Sequence, residues 1–116
     1  MRQFLLFIMA LSFHTQSNAA DGYVAGAGKQ DCQHLQAELK QESMSATEFQ
    51  QWLLGYFSGA NVAYGQRSKR GDVTTGATVL PGKLAELVLN KCSQNPAQPV
   101  SKAADEVYSE LRQSNQ

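Results

Sequence analysis

The stretch SATEFQQWLLGYFSGANVAY, Ser45 to Tyr64, decides the fold. Ser45 followed three residues later by Glu48 spells a capping box. The hydroxyl can accept the N–H of the third helical residue while the glutamate reaches back to the N–H of the cap. A helix is therefore predicted over about residues 46–64. Phe49, Leu53, Tyr56, Phe57, Ala60 and Tyr64 recur at helical spacing, and Trp52 and Ala63 widen the stripe. Gly55 and Gly59 sit four apart inside it. A glycine within a helix costs about 1 kcal/mol against alanine, so another helix or the chain leader is expected to pack closely there. The aromatics cover more than one narrow face. Beside their core roles, Trp52 and Tyr56 are therefore candidate partner-binding residues, since aromatic side chains anchor many protein interfaces.

Upstream, Lys29 to Glu42 carries Cys32, Leu35 and Leu39 at i, i+3 and i+7, the mark of a narrow amphipathic helix with its cysteine on the buried side. Residues 20–28 hold three glycines and no apolar stripe, and read as a flexible leader or short extended arm. Downstream, residues 65–80 lose the periodicity and read as a long surface loop. Arg67, Lys69 and Arg70 cluster in it as candidates for docking an acidic partner or an anionic membrane surface; the alternative is a merely solvated loop. Pro81 suits a first helical turn, and Leu84, Leu87, Val88 and Cys92 then predict a third helix that ends before Asn95-Pro96. Val100, Ala103, Ala104, Val107, Tyr108 and Leu111 predict a fourth, over about residues 100–113. No segment alternates like a strand. The expectation is an all-α fold, a small four-helix bundle forming one domain over residues 20–116.

Residues 1–19 read as a signal peptide rather than as part of that domain. Arg2 precedes an apolar run from Phe4 to Phe13, and Ser17-Asn18-Ala19 fits the small-x-small rule for cleavage after Ala19. The run is far shorter than the ~20 residues needed to span a bilayer. The precursor balances 10 basic against 10 acidic residues; loss of Arg2 leaves a net charge of −1, with His34 as the single remaining histidine. Cys32 and Cys92 are the only two cysteines, and both lie in the exported part. Disulfides persist in oxidising compartments, and two cysteines allow one intramolecular pairing. The bond would join the first and third helices and close a loop of about 60 residues, which the chain-entropy model values at ~4 kcal/mol.

Near-neutral charge leaves no basic excess to track a nucleic acid backbone. The few Cys and His residues assemble no metal-ligand cluster, and no phosphate-binding glycine motif is present. His34 could in principle act as a base or pH sensor, but no nucleophile is spaced around it, and a solvated helix residue is the simpler account. Asp105 and Glu106 are helix neighbours that point apart, unlike a pair of catalytic carboxylates. Arg70-Gly71-Asp72 matches an integrin-binding tripeptide, which at three residues is close to noise. The sequence thus argues against an enzyme and implies no cofactor.

One resemblance narrows the field. Cys32, then Trp52-Leu53-Leu54-Gly55-Tyr56-Phe57-Ser58-Gly59-Ala60-Asn61, then Leu87 to Pro96 with Cys92, then a helix with Ala103-Ala104, is similar to the HdeA-like small exported bacterial proteins. It also resembles the related helical immunity proteins of type VI secretion, the Tai-type group. The resemblance spans roughly residues 31–111. It implies an all-helical periplasmic protein of a Gram-negative bacterium, with Cys32 and Cys92 matching the disulfide position for position, and it allows for a homodimer. It also implies binding to proteins: an acid-stress chaperone that holds unfolded clients or, alternatively, an immunity protein that neutralises a toxin, for which the basic loop would be suited.

Overall fold

The computed structural model describes residues 24–114. The signal peptide expected over residues 1–19 and the start of the leader lie outside the described residues. A 3-10 turn, Gly26–Lys29, is followed by α1 Cys32–Lys40, α2 Ala46–Ser68, α3 Pro81–Gln94 and α4 Val100–Ser114. Among the described residues there is no strand, only an isolated antiparallel bridge between Asp31 and Pro99. The fold is the all-α four-helix bundle read from the sequence, and Cys32 and Cys92 are joined as expected, with their Cα atoms 5.0 Å apart.

Local chemistry sets the helix ends. Asp31 caps α1 by accepting the His34 N–H at 2.8 Å. The capping box of α2 is complete: the Glu48 N–H reaches the Ser45 hydroxyl at 3.1 Å, and the Ser45 N–H reaches the Glu48 carboxylate at 2.7 Å. Pro81 opens α3, where its missing N–H costs nothing. The start of α1 is laced to the α3–α4 connection by Cys32 N–H to the Gln98 carbonyl and Gln33 N–H to the Pro96 carbonyl, both 2.9 Å. These bonds lie beside the disulfide, so one corner of the bundle is held both covalently and by backbone pairing.

The apolar stripes converge on one core. Leu35, Phe49, Leu53, Leu84, Val88, Val100 and Val107 are almost fully buried around the disulfide. The Phe57 and Tyr108 rings meet edge to face at 5.4 Å, joining α2 to α4. No helix among the described residues is long and apolar enough to cross a membrane.

Four sequence expectations need correction. First, α1 is shorter than the expected span from Lys29 to Glu42, because Lys29 belongs to a 3-10 turn, Asp31 caps the start in extended backbone, and Glu42 past the end adopts a positive φ of 58°. Second, α2 runs to Ser68, so the following connection begins at Lys69 and not at Gly65. Gly65 does not break the helix; it is buried where the Arg70 carbonyl folds back against it. Third, the described end of the leader does not continue as an extended arm, because Gly26–Lys29 form a 3-10 turn. Ala27 and Gly28 are buried under Trp52, whose indole N–H donates to the Ala25 carbonyl at 2.8 Å; a Cβ on Gly28 would run into the indole ring. Fourth, nothing among the described residues packs closely on Gly55 or Gly59. A Cβ built on either meets no atom within 4 Å.

Candidate functional site

The outward side of the α2–α4 pair is the most unusual surface of the molecule. The Tyr56 hydroxyl donates to Asp105 at 2.7 Å and lies 3.3 Å from the Ser101 carbonyl. The Tyr108 hydroxyl donates to the Asn61 side-chain oxygen at 2.9 Å, and Arg112 donates to the Tyr64 hydroxyl at 3.1 Å. The partners advance together along both helices, so α2 and α4 run parallel. Burial, followed by the Asp105 carboxylate, pushes the Tyr56 phenol well above its usual pKa, so it stays a donor at any physiological pH.

Between the helices lies an open groove of about 900 Å³. Gly55, Gly59, Ala60 and Ala63 form its floor, with Tyr56 and Tyr64 on the α2 side and Asp105, Tyr108, Ser109 and Arg112 on the α4 side. No charged side chain occurs between Glu48 and Arg67. A surface helix normally carries charge on its outer face; here that face presents Gly55, Ser58, Gly59, Val62 and Ala63. Val62 is 60% exposed, one of only two large apolar side chains so exposed among the described residues.

One end of the groove is basic. Arg67 sits on the last turn of α2, not in the loop. Lys69 caps that helix in the left-handed conformation, and the Arg70 N–H returns to the Gly65 carbonyl at 2.9 Å. Among the described residues, none of these three side chains has a hydrogen bond or ion pair. Arg112 joins them from α4, its guanidinium 4.5 Å from the Tyr64 ring centroid. Beside the groove, Tyr64, Arg70, Asp72, Val73, Thr74, Thr75 and Arg112 line a notch of about 170 Å³. Tyr64 and Arg112 belong to both cavities.

The connection after α2 is fixed in place. Asn61 accepts the Thr75 N–H at 3.1 Å and donates to the Thr75 carbonyl at 3.2 Å. Gly76, at φ +80°, lies against the Phe57 ring, where a side chain would fit neither the backbone nor the space. The basic cluster therefore sits on a held scaffold.

The sequence candidates separate accordingly. Tyr56, Arg67 and Arg70 line the groove or its notch, and Lys69 stands at the same end. Trp52 is half-buried, stacks on Tyr56 at 5.0 Å between ring centroids, and uses its N–H to hold the leader. It does not line the groove, and its N–H is spent on the leader rather than offered to a partner. His34, 74% exposed at its side chain, lies 2.7 Å from the Asp31 carboxylate and does not line the groove. That pair belongs to a helix cap. No group of three or more His, Cys, Asp or Glu among the described residues could hold a metal ion.

Sequence reasoning missed Asn61, Asp105 and Arg112. Asn61 had a signal: it stands four residues after Phe57 on the core side of α2, where a polar residue implies an internal hydrogen-bond partner. Asp105 and Arg112 had none, because their meaning depends on which helix lies beside α4.

No protein-family model matches the chain, and neither the curated proteins nor the solved structures contain a match to it.

Proposed function

We propose that this chain is a non-catalytic protein-binding domain of an exported, periplasmic protein, working in the manner of the HdeA-like and Tai-type proteins it resembles. One observation carries the reading: the uncharged outer face of α2, uncovered by anything among the described residues and opening into a groove with a basic end. Leaving such a face in water wastes apolar contact and forgoes the solubility that charge gives, so a partner that covers it accounts for its composition. The pinned loop and the disulfide favour a preformed surface that meets one folded partner, as an immunity protein meets its toxin.

The acid-stress chaperone is the second reading, and it draws on a different observation. Carboxylates hold several joints: Asp31 the start of α1, Glu48 the start of α2, Asp105 the Tyr56 hydroxyl, and Glu110 the Lys91 ammonium. Acid neutralises carboxylates and leaves the cations unbalanced, and the resulting self-repulsion favours a looser, client-holding state.

Affinity capture with the mature protein, from periplasmic extract at neutral pH and at about pH 3, tests both readings. A single stoichiometric partner at neutral pH supports the first. Many partners in acid only, together with suppressed client aggregation, support the second. Capture of nothing at either pH would remove both.

A further inference from the structure

We infer that the α2–α4 groove receives an amphipathic helix of another protein, with the carboxylates of that helix seated at the end formed by Arg67 and Arg112. The inference rests on the protein-binding reading and names the chemistry of the partner.

The shape of the groove selects the occupant. A Cβ at Gly55 or Gly59 would point into empty space, so a backbone can come closer here than to any side-chain-covered helix. Beside this low floor stand Tyr56 and Tyr64, each held by a hydrogen bond to α4. Immobilised rings lose little freedom when a partner packs on them. A cylinder laid along two parallel helices fills such a trough, as in other helix-in-groove complexes. The side of the occupant facing the floor must be apolar or small, because α2 offers no charge between Glu48 and Arg67.

Charge fixes the other property. Arg67 closes one end of the groove, and Arg112 stands across from it. The ring of Tyr64 orients the Arg112 guanidinium, which also faces the notch containing Arg70. Two guanidinium groups, those of Arg70 and Arg112, line that notch together with one carboxylate, Asp72, and Arg67 stands at the adjoining end of the groove. A guanidinium fork matches a carboxylate in two parallel hydrogen bonds, and the notch, at about 170 Å³, has room for one acidic side chain. An anionic membrane would satisfy the charges but would leave the trough empty.

The probe is an end-blocked, alanine- and leucine-rich helical peptide bearing two glutamates near one end, compared with its glutamine counterpart. Binding is followed by amide shifts along α2 and α4 and by the fluorescence of Trp52, the only tryptophan. The glutamate peptide is expected to shift residues 55–67 and 105–112. The glutamine peptide, and the Arg112→Gln and Arg67→Gln variants, should each bind about tenfold more weakly, as loss of one charge-assisted pair implies. Gly59→Leu should abolish binding without lowering the melting temperature, since its side chain enters open space. Equal binding of the two peptides, no binding of either, or undiminished binding by Gly59→Leu would overturn the inference. So would a dimer in sedimentation that Gly59→Leu dissolves, because the face would then belong to a second copy. Gly59→Leu also separates this inference from the reading beneath it. If that variant still captures the wild-type partner from extract, protein binding stands and the groove does not.

Discussion

Asp31 shows how much one side chain can carry. It caps α1 through the His34 N–H and faces the His34 ring, while its backbone bridges to Pro99. The His34 N–H, and after it the His34 ring, hold its carboxyl below the usual carboxylate range. A carboxylate whose folded pKa is lowered contributes stability that is complete above its unfolded pKa and is lost as pH falls through the folded one. Urea midpoints should therefore fall with acidification below about pH 4. Asp31→Asn, which still caps a helix, should flatten part of that acid arm while leaving neutral stability nearly unchanged. Asn61 works differently, by occupying polar groups that would otherwise be orphaned. Asn61→Ala strands the Thr75 N–H and carbonyl and the Tyr108 hydroxyl, and should cost about 2–3 kcal/mol. Amide exchange at Ala77 and Val79, which close the turn behind Thr75, should quicken with it. A polar residue in a core register was visible in the sequence. Its three bonds were not, because Thr75 and Tyr108 lie far from it along the chain.

Among the elements, α2 best shows what periodicity reveals and what it hides. Phe49, Leu53 and Phe57 announce the buried face, and the capping box announces the start; both are local properties of the chain. The end of α2 was not legible, because Gly65 looks like a breaker until the Arg70 carbonyl is seen against it. The folded leader was hidden for a similar reason: its burial comes from Trp52, which is distant in sequence. The glycines now divide into two kinds with opposite predictions. Gly55→Ala and Gly59→Ala should each raise stability by up to about 1 kcal/mol, since the helix gains propensity and no neighbour is displaced. Gly28→Ala should lower it, because the Trp52 indole has to move. Thermal melts of the three variants check the sign. A rise in stability in both variants would show that the fold of α2 itself does not require these two glycines.

At the scale of the molecule, the bundle depends on a single covalent tie. Reduction of Cys32–Cys92 should lower unfolding free energy by ~4 kcal/mol, the chain-entropy value for a loop of 60 residues. Urea titrations with and without reductant measure it. The bundle and its disulfide were legible because four stripes and two cysteines leave few arrangements open. The groove was legible only by half. Tyr56, Arg67 and Arg70 could be named from the chain, whereas the opposing wall requires knowing that α4 runs parallel to α2. That relation is set by the connection at residues 95–99, which folds back to pair with the start of α1, and no local pattern announces such pairing.

The position of the disulfide also divides the backbone into a closed circuit and two tails. Residues 32–92 form the circuit; the leader hangs from one side and α4 from the other. The irregular segment 69–80 lies inside the circuit, so a protease that cuts there opens the ring without parting the molecule. A nicked chain should run as one band without reductant and as two with it. A cut at residues 95–97 has the opposite effect: it frees α4 and removes one wall of the groove at a stroke. The basic loop is thus the part of this surface that can be severed with the least loss, and the short link before α4 is where the site is most vulnerable.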